Sequence, residues 1–165
     1  MLFRSMVNKL RGFMEQNIGA GQNGGMKDRS TQDNLFTRQL LWERGGVGNC
    51  IVNIDLKTAF DSVPHACLLQ RLSSIKFPKN LLNVISKILG TATGCLFECR
   101  FEITNGVRQG DPLSMALFNM YLECIMYKAR KKWVEKGMGI MIMNMKVTDD
   151  AYADDVGLMA KSRRE

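Results

Sequence analysis

Apolar positions recur every three or four residues in five stretches of the chain, and in four shorter ones they alternate or run together. From Leu2 to Asn17, the residues Leu2, Met6, Leu10 and Phe13 stand at helical spacing with Arg4 and Lys9 between them, which predicts a helix with one buried face. Ile18 to Asp28 carries Gly19, Gly21, Gly24 and Gly25, a composition that predicts a mobile loop. Ser30, with Asp33 three residues on, resembles a capping box. Leu35, Phe36, Leu40 and Leu41 then continue a second helix until Gly45 and Gly46. The β-branched run from Cys50 to Leu56 predicts a buried strand that delivers Asp55 to its edge.

Pro64 and Pro78 stand where a first helical turn tolerates proline, and Gly90 closes the second of the two helices they open. Cys95 to Ile103 alternates loosely, as one strand would. Pro112 starts a long helical pattern through Leu113, Leu117, Met120, Tyr121, Cys124, Ile125 and Met126, ending in the basic run Lys128, Arg130, Lys131 and Lys132. Gly139 to Val147 and Val156 to Ala160 read as strands, so Ala153-Asp154-Asp155 falls in or beside a hairpin turn.

Composition narrows the class. With 165 residues, 45% hydrophobic and 24% charged, the chain fits one globular domain and excludes disordered or collagen-like polymers. No apolar run approaches the ~18 residues of a membrane helix, and no secretory signal is evident, which points to an intracellular protein, nuclear or cytoplasmic. Five cysteines without a CxxC pair, beside the single His65, argue against a disulfide framework or a structural zinc site; Cys95 and Cys99 lack a matching ligand pair. The net charge of +7 favours a polyanionic partner, nucleic acid first. Residues 111–165 contribute only +1 of it, from nine basic and eight acidic residues, because Asp149, Asp150, Asp154 and Asp155 gather there. The methionines Met138, Met141, Met143 and Met145 read as adaptable core, and His65 as structural.

Asp55 at a strand end and the pair Asp154 and Asp155 are hard oxygen donors that suit Mg²⁺, provided the fold sets their strands side by side. Two such ions would serve an in-line phosphoryl displacement, the chemistry of nucleotidyl transfer. Each aspartate alone reads more readily as a turn residue, since Asp is common at strand ends and in hairpins.

The joint pattern is more specific. Asn53 to His65 (NIDLKTAFDSVPH) resembles motif A of reverse transcriptases, particularly those of non-LTR (LINE-type) retrotransposons. Asn105 to Ser114 (NGVRQGDPLS), followed by Leu117-Phe118-Asn119, resembles motif B, and Ala151 to Asp155 (AYADD) looks like motif C. Upstream, Gln22-Asn23-Gly24 and Arg29 to Asp33 are similar to the segment this family places between fingers and palm. The resemblance implies an α+β fold, a right-hand polymerase palm whose antiparallel sheet packs on helices. It divides the chain into partial fingers and connecting helices over 1–49 and a palm over 50–165, with the thumb absent. It further implies RNA-directed DNA synthesis by two Mg²⁺ ions, Mn²⁺ being a possible substitute, with an RNA template, a DNA primer and dNTPs as partners.

Residue by residue, the resemblance makes Asp55, Asp154 and Asp155 the catalytic, metal-binding carboxylates. Phe60 falls where an aromatic ring lies under the incoming sugar and rejects a 2′-OH; a core phenylalanine is the competing reading. Gln109 and Gly110 match the turn that approaches the nucleotide, against a plain helix-entry loop. Arg29, Arg38, Lys57 and Arg108 would face phosphates along the template and primer groove. The sequence also departs from the family: Gly25 follows Gly24 where phenylalanine is usual, Met115 stands where proline is common, and Asp149 and Asp150 replace apolar strand residues. Those two extra carboxylates are expected to weaken the strand and add repulsion beside the metal site. The alternative is a truncated, catalytically inactive retrotransposon remnant that at most binds nucleic acid. A group II intron or telomerase-type reverse transcriptase is a third reading.

Overall fold

The computed structural model describes residues 2–44, 48–142 and 144–161. Gly45, Gly46 and Met143 lie outside the described residues, as do the side chains of Leu2 and Arg4.

Among the described residues, five helices and seven strands form an α+β fold. The helix α1 (Leu2–Asn17) buries Met6, Leu10 and Met14 against α5 (Pro112–Glu135), as its period requires. The capping box that starts α2 (Thr31–Arg44) is formed: Ser30 N–H donates to Asp33 Oδ2 at 2.6 Å, and Gln32 N–H donates to Ser30 Oγ at 3.2 Å. Pro64 and Pro78 are the extended residues just before α3 (His65–Ser74) and α4 (Lys79–Gly90). Asp111 caps α5 by accepting the Leu113 N–H at 3.0 Å, with Pro112 in the first turn, where a missing N–H costs nothing. One core joins α1, α3, α4 and α5 to the inner face of the main sheet through Leu10, Leu68, Leu72, Ile85, Phe118 and Val156.

That sheet is antiparallel in the order β1 (Cys50–Asp55), β7 (Asp155–Ala160), β6 (Asp149–Tyr152). The strand β1 lies at its edge and is largely exposed, not buried, because among the described residues no strand pairs its outer side, and Val52 is exposed. The segment Cys95 to Ile103 is not one strand: it spans the end of β2 (Thr93–Leu96), a turn at Phe97, whose φ of +54° breaks the strand, and β3 (Cys99–Glu102), which pairs back on β2 as a hairpin. Gly139 to Val147 likewise splits into the hairpin β4 (Ile140–Ile142) and β5 (Met145–Val147). On α2 it is Asn34 and Leu41 that face inward, while Leu35, Phe36 and Trp42 are exposed.

The largest departure from expectation is the glycine-rich segment, whose central residues are buried and hydrogen-bonded to β6. Gln22 and Asn23 are 3% and 7% exposed. Ala151 N–H donates to Gly21 O at 2.7 Å and Asn23 N–H to Ala151 O at 2.8 Å, so residues 21–23 run as an extra short strand along the outer edge of β6. A Cβ at Gly24 would collide with the backbone nitrogen of Ala153, and one at Gly25, where φ is +67°, with the Met115 side chain. The glycines serve close approach here. Among the described residues no helix is long and apolar enough to cross a membrane.

Candidate active site

In the β1–β7 ladder Asp55 lies opposite Asp155 and Asn53 opposite Gly157; on the other side of β7, Tyr152 pairs with Asp155 and Asp150 with Gly157. Paired residues share a face and alternate residues return to it. Asp55, Asp155, Tyr152 and Asp150 therefore stand on one side of the sheet. Across that side lies α2, leaving a cavity of about 430 Å³ lined by Thr31, Asn34, Arg38, Asp55, Tyr152 and Asp155. Both Asp55 and Asp155 are exposed to it, and Asp154 sits half-buried in the turn between β6 and β7.

The pleat splits the acidic run. Asp150 accepts two hydrogen bonds from Arg38, from Nε at 2.8 Å and Nη2 at 3.0 Å. Gly157 makes room for this pair, since a Cβ there would collide with Asp150 and lie 2.7 Å from Arg38 Nη2. On the opposite face Asp149 accepts from Arg130 Nε at 2.9 Å and Nη2 at 2.8 Å and from Thr148 Oγ1 at 2.7 Å, while Arg130 Nη1 also reaches Glu123 at 2.6 Å. The expected repulsion is thus cancelled by one arginine per face. The Asp150 hydrogen bond, helped by the charges of Asp150 and Asp155, holds the Arg38 guanidinium above the usual arginine range in spite of partial burial. Burial pulls Arg130 down, yet the Asp149 hydrogen bond and the charges of Asp149 and Glu123 leave it raised on balance.

Two carboxylates directly opposite each other repel unless a cation lies between them. They also match the one or two carboxylates that Mg²⁺ takes from a protein when phosphates and water complete its shell. The donor set of Asp55 and Asp155 therefore fits such an ion. Among the described residues no three acidic, histidine or cysteine side chains converge as a ready-made metal cluster, so Asp154 is not drawn in beside the other two.

The sequence matches the reverse transcriptase (RNA-dependent DNA polymerase) family over residues 2–165. The chain belongs to the reverse transcriptase family. It is 30% identical over 162 residues to the transposon TX1 uncharacterized 149 kDa protein of Xenopus laevis, an overlap covering 93% of this chain and 12% of that protein. To the Pol polyprotein from the type-2 retrotransposable element R2DM of Drosophila melanogaster it is 31% identical over 119 residues, 68% of this chain and 11% of the relative. The chain thus spans about a tenth of the length of these relatives. Among solved structures, telomerase from Candida albicans superposes with a TM-score of 0.63 at 14% identity, over 96% of this chain and 29% of that one. Apo telomerase from Candida tropicalis gives 0.62 at 12% identity, over 98% and 34%. At such identity the likeness is one of fold.

Within this reverse transcriptase chain the remaining expected site residues are dispersed. Phe60 is buried and stacks on Phe118, ring centroids 4.4 Å apart, so its ring belongs to the core and does not line the cavity beside Asp55. Gln109 and Gly110 are exposed in the loop before α5; Gly110 has φ +84°, and nothing would meet a Cβ there. His65 ties this loop to α3 through a 2.7 Å contact of Nε2 with Gly106 O. Lys57 and Arg108 are exposed. Arg29 and Arg38, expected to face phosphates, are engaged by the protein: Arg29 Nη1 donates to Gly19 O at 3.2 Å and Gln22 O at 2.7 Å, and Arg38 holds Asp150. Sequence reasoning assigned no role to Gln22, whose amide contacts the motif C turn, or to Asn119, fully buried with its Nδ2 donating to Gly24 O at 2.6 Å. A buried polar pair far apart in sequence leaves no local signal.

Proposed function

We propose that this chain is the palm-bearing part of an RNA-directed DNA polymerase of the non-LTR retrotransposon kind, adding dNTPs to a primer 3′-OH. The observation that carries this reading is the in-register pairing of Asp55 with Asp155 on an open cavity face, within a chain of the reverse transcriptase family. On this reading residues 50–165 form the palm and 1–49 the connecting part of the fingers. Asp55 and Asp155 hold divalent cations, with Asp154 joining them from the turn when substrate phosphates complete the shell. Bound there, two Mg²⁺ or Mn²⁺ ions would activate the attacking hydroxyl and offset charge on the leaving pyrophosphate.

The protein's own groups do the rest. Arg38, held by Asp150 at the cavity wall, offsets the acidic charge beside Asp155. Lys57 and Arg108, exposed in the motif A and motif B loops, lie along the phosphates of the RNA template and DNA primer. Gln109 and Gly110, exposed in the loop before α5, approach the nucleotide.

Primer extension on an RNA template with a DNA primer, in Mg²⁺ and then Mn²⁺, tests this. DNA product that disappears in Asp155→Ala supports it, whereas product that persists in Asp155→Ala refutes the site. No product from folded protein favours the inactive-remnant reading.

A further inference from the structure

Gln22 lies 131 residues before Ala153 in sequence, yet its side chain is buried against the motif C turn. Its Oε1 accepts the N–H of Ala153 at 2.9 Å and that of Gly24 at 2.9 Å, and its Nε2 donates to the Ala153 carbonyl at 3.1 Å. One amide thereby satisfies both backbone polar groups of a single residue. That residue is Ala153, a non-glycine position with φ +55°, a left-handed conformation that L side chains adopt at a cost. Directly after it come Asp154 and Asp155. The segment bearing Gln22 cannot drift, because the main-chain bonds of Gly21 and Asn23 with Ala151 fix it on β6 and Gly24 packs on the Ala153 backbone.

We propose that Gln22 is a positioning residue that locks the Ala153 turn in its left-handed form and so sets the direction of the Asp154 and Asp155 carboxylates toward cations. This rests on the metal-binding reading above. A side-chain amide suits the task because it offers a donor and an acceptor in one plane, matching the carbonyl and N–H of one peptide-linked residue. An ionised carboxylate at 22 supplies only the acceptor half of the match.

The test uses the full chain and Mn²⁺ as probe, with affinity read from water-proton relaxation and folding from thermal melts. Gln22→Ala is expected to weaken Mn²⁺ binding by about tenfold or more, the range that outer-shell partners of metal ligands produce. Adding Ala153→Gly, which removes the cost of the left-handed turn, restores part of the loss. A folded Gln22→Ala chain that binds Mn²⁺ within about twofold of the parent overturns the proposal, since outer-shell effects exceed that; so does a loss that Ala153→Gly leaves untouched. If Gln22→Ala does not fold, amide exchange in the parent decides. Protection of the Ala153 N–H equal to that of the β6–β7 ladder supports the lock, and exchange at open-turn rates overturns it. A parent chain that binds no Mn²⁺ refutes the metal reading, while the Ala153 amide still reports on the lock itself.

Discussion

The Arg38–Asp150 pair gives an asymmetric prediction. The Asp150 side chain is 3% exposed and that of Arg38 29%. Arg38→Met leaves a carboxylate buried without its two hydrogen bonds, and stranding a buried charge costs ~3–5 kcal/mol. Against the ~5–15 kcal/mol that holds a typical domain together, that variant lies close to unfolding. Asp150→Asn preserves shape and one acceptor and strands an arginine that already touches water, so its cost is ~1–2 kcal/mol. Arg38→Met with Asp150→Leu removes both charges and fills the slot over Gly157 with apolar atoms. This double variant is expected to be more stable than Arg38→Met alone. Urea denaturation followed by circular dichroism measures all three. Equal costs for the two single variants, or a double variant as unstable as their sum, would refute the argument that desolvation of Asp150 sets the energetics. The pH sign follows from the raised Arg38 pKa: its contribution is fully present below the ordinary arginine range and is lost only as pH climbs through the higher folded value. The order of the variants therefore holds unchanged across neutral pH.

Gly24→Ala is expected to lower stability by ~1–3 kcal/mol, the cost of overpacking, because the added methyl meets the Ala153 backbone and not a pliable side chain; denaturant midpoints measure it, and a neutral result would dismiss the close approach. Asp55→Asn is expected to raise the stability of the metal-free chain by at most ~1 kcal/mol, the scale of one cross-strand pair, while weakening Mn²⁺ binding. A melting temperature that falls, with Mn²⁺ affinity intact, would separate Asp55 from the site.

The helices were legible because their signals are local. The period of α1, the Ser30–Asp33 box and the Asp111-Pro112 entry of α5 each lie within a few residues of the element they specify. Motif residues were legible through resemblance, and the ladder brings two of the three catalytic candidates, Asp55 and Asp155, face to face. What escaped depends on partners far along the chain. Four glycines within residues 19–25 look flexible until β6 is present to bond them. Asp149 and Asp150 look like one acidic cluster, yet adjacent strand residues point to opposite faces, and only the packed structure supplies Arg130 to one and Arg38 to the other. The exposure of Leu35, Phe36 and Trp42 escaped for a related reason: the sequence marks apolar positions but not which of them another element covers.

Two departures from the family pattern meet in the contact between Gly25 and Met115. A Cβ at position 25 would collide with the Met115 side chain, so the glycine found where phenylalanine is usual and the methionine found where proline is common occupy one space between them. Asp149 and Asp150 are answered in the same manner by Arg130 and Arg38. Each departure has a complement across the fold, so changing one of these residues alone would disturb a partner distant in sequence.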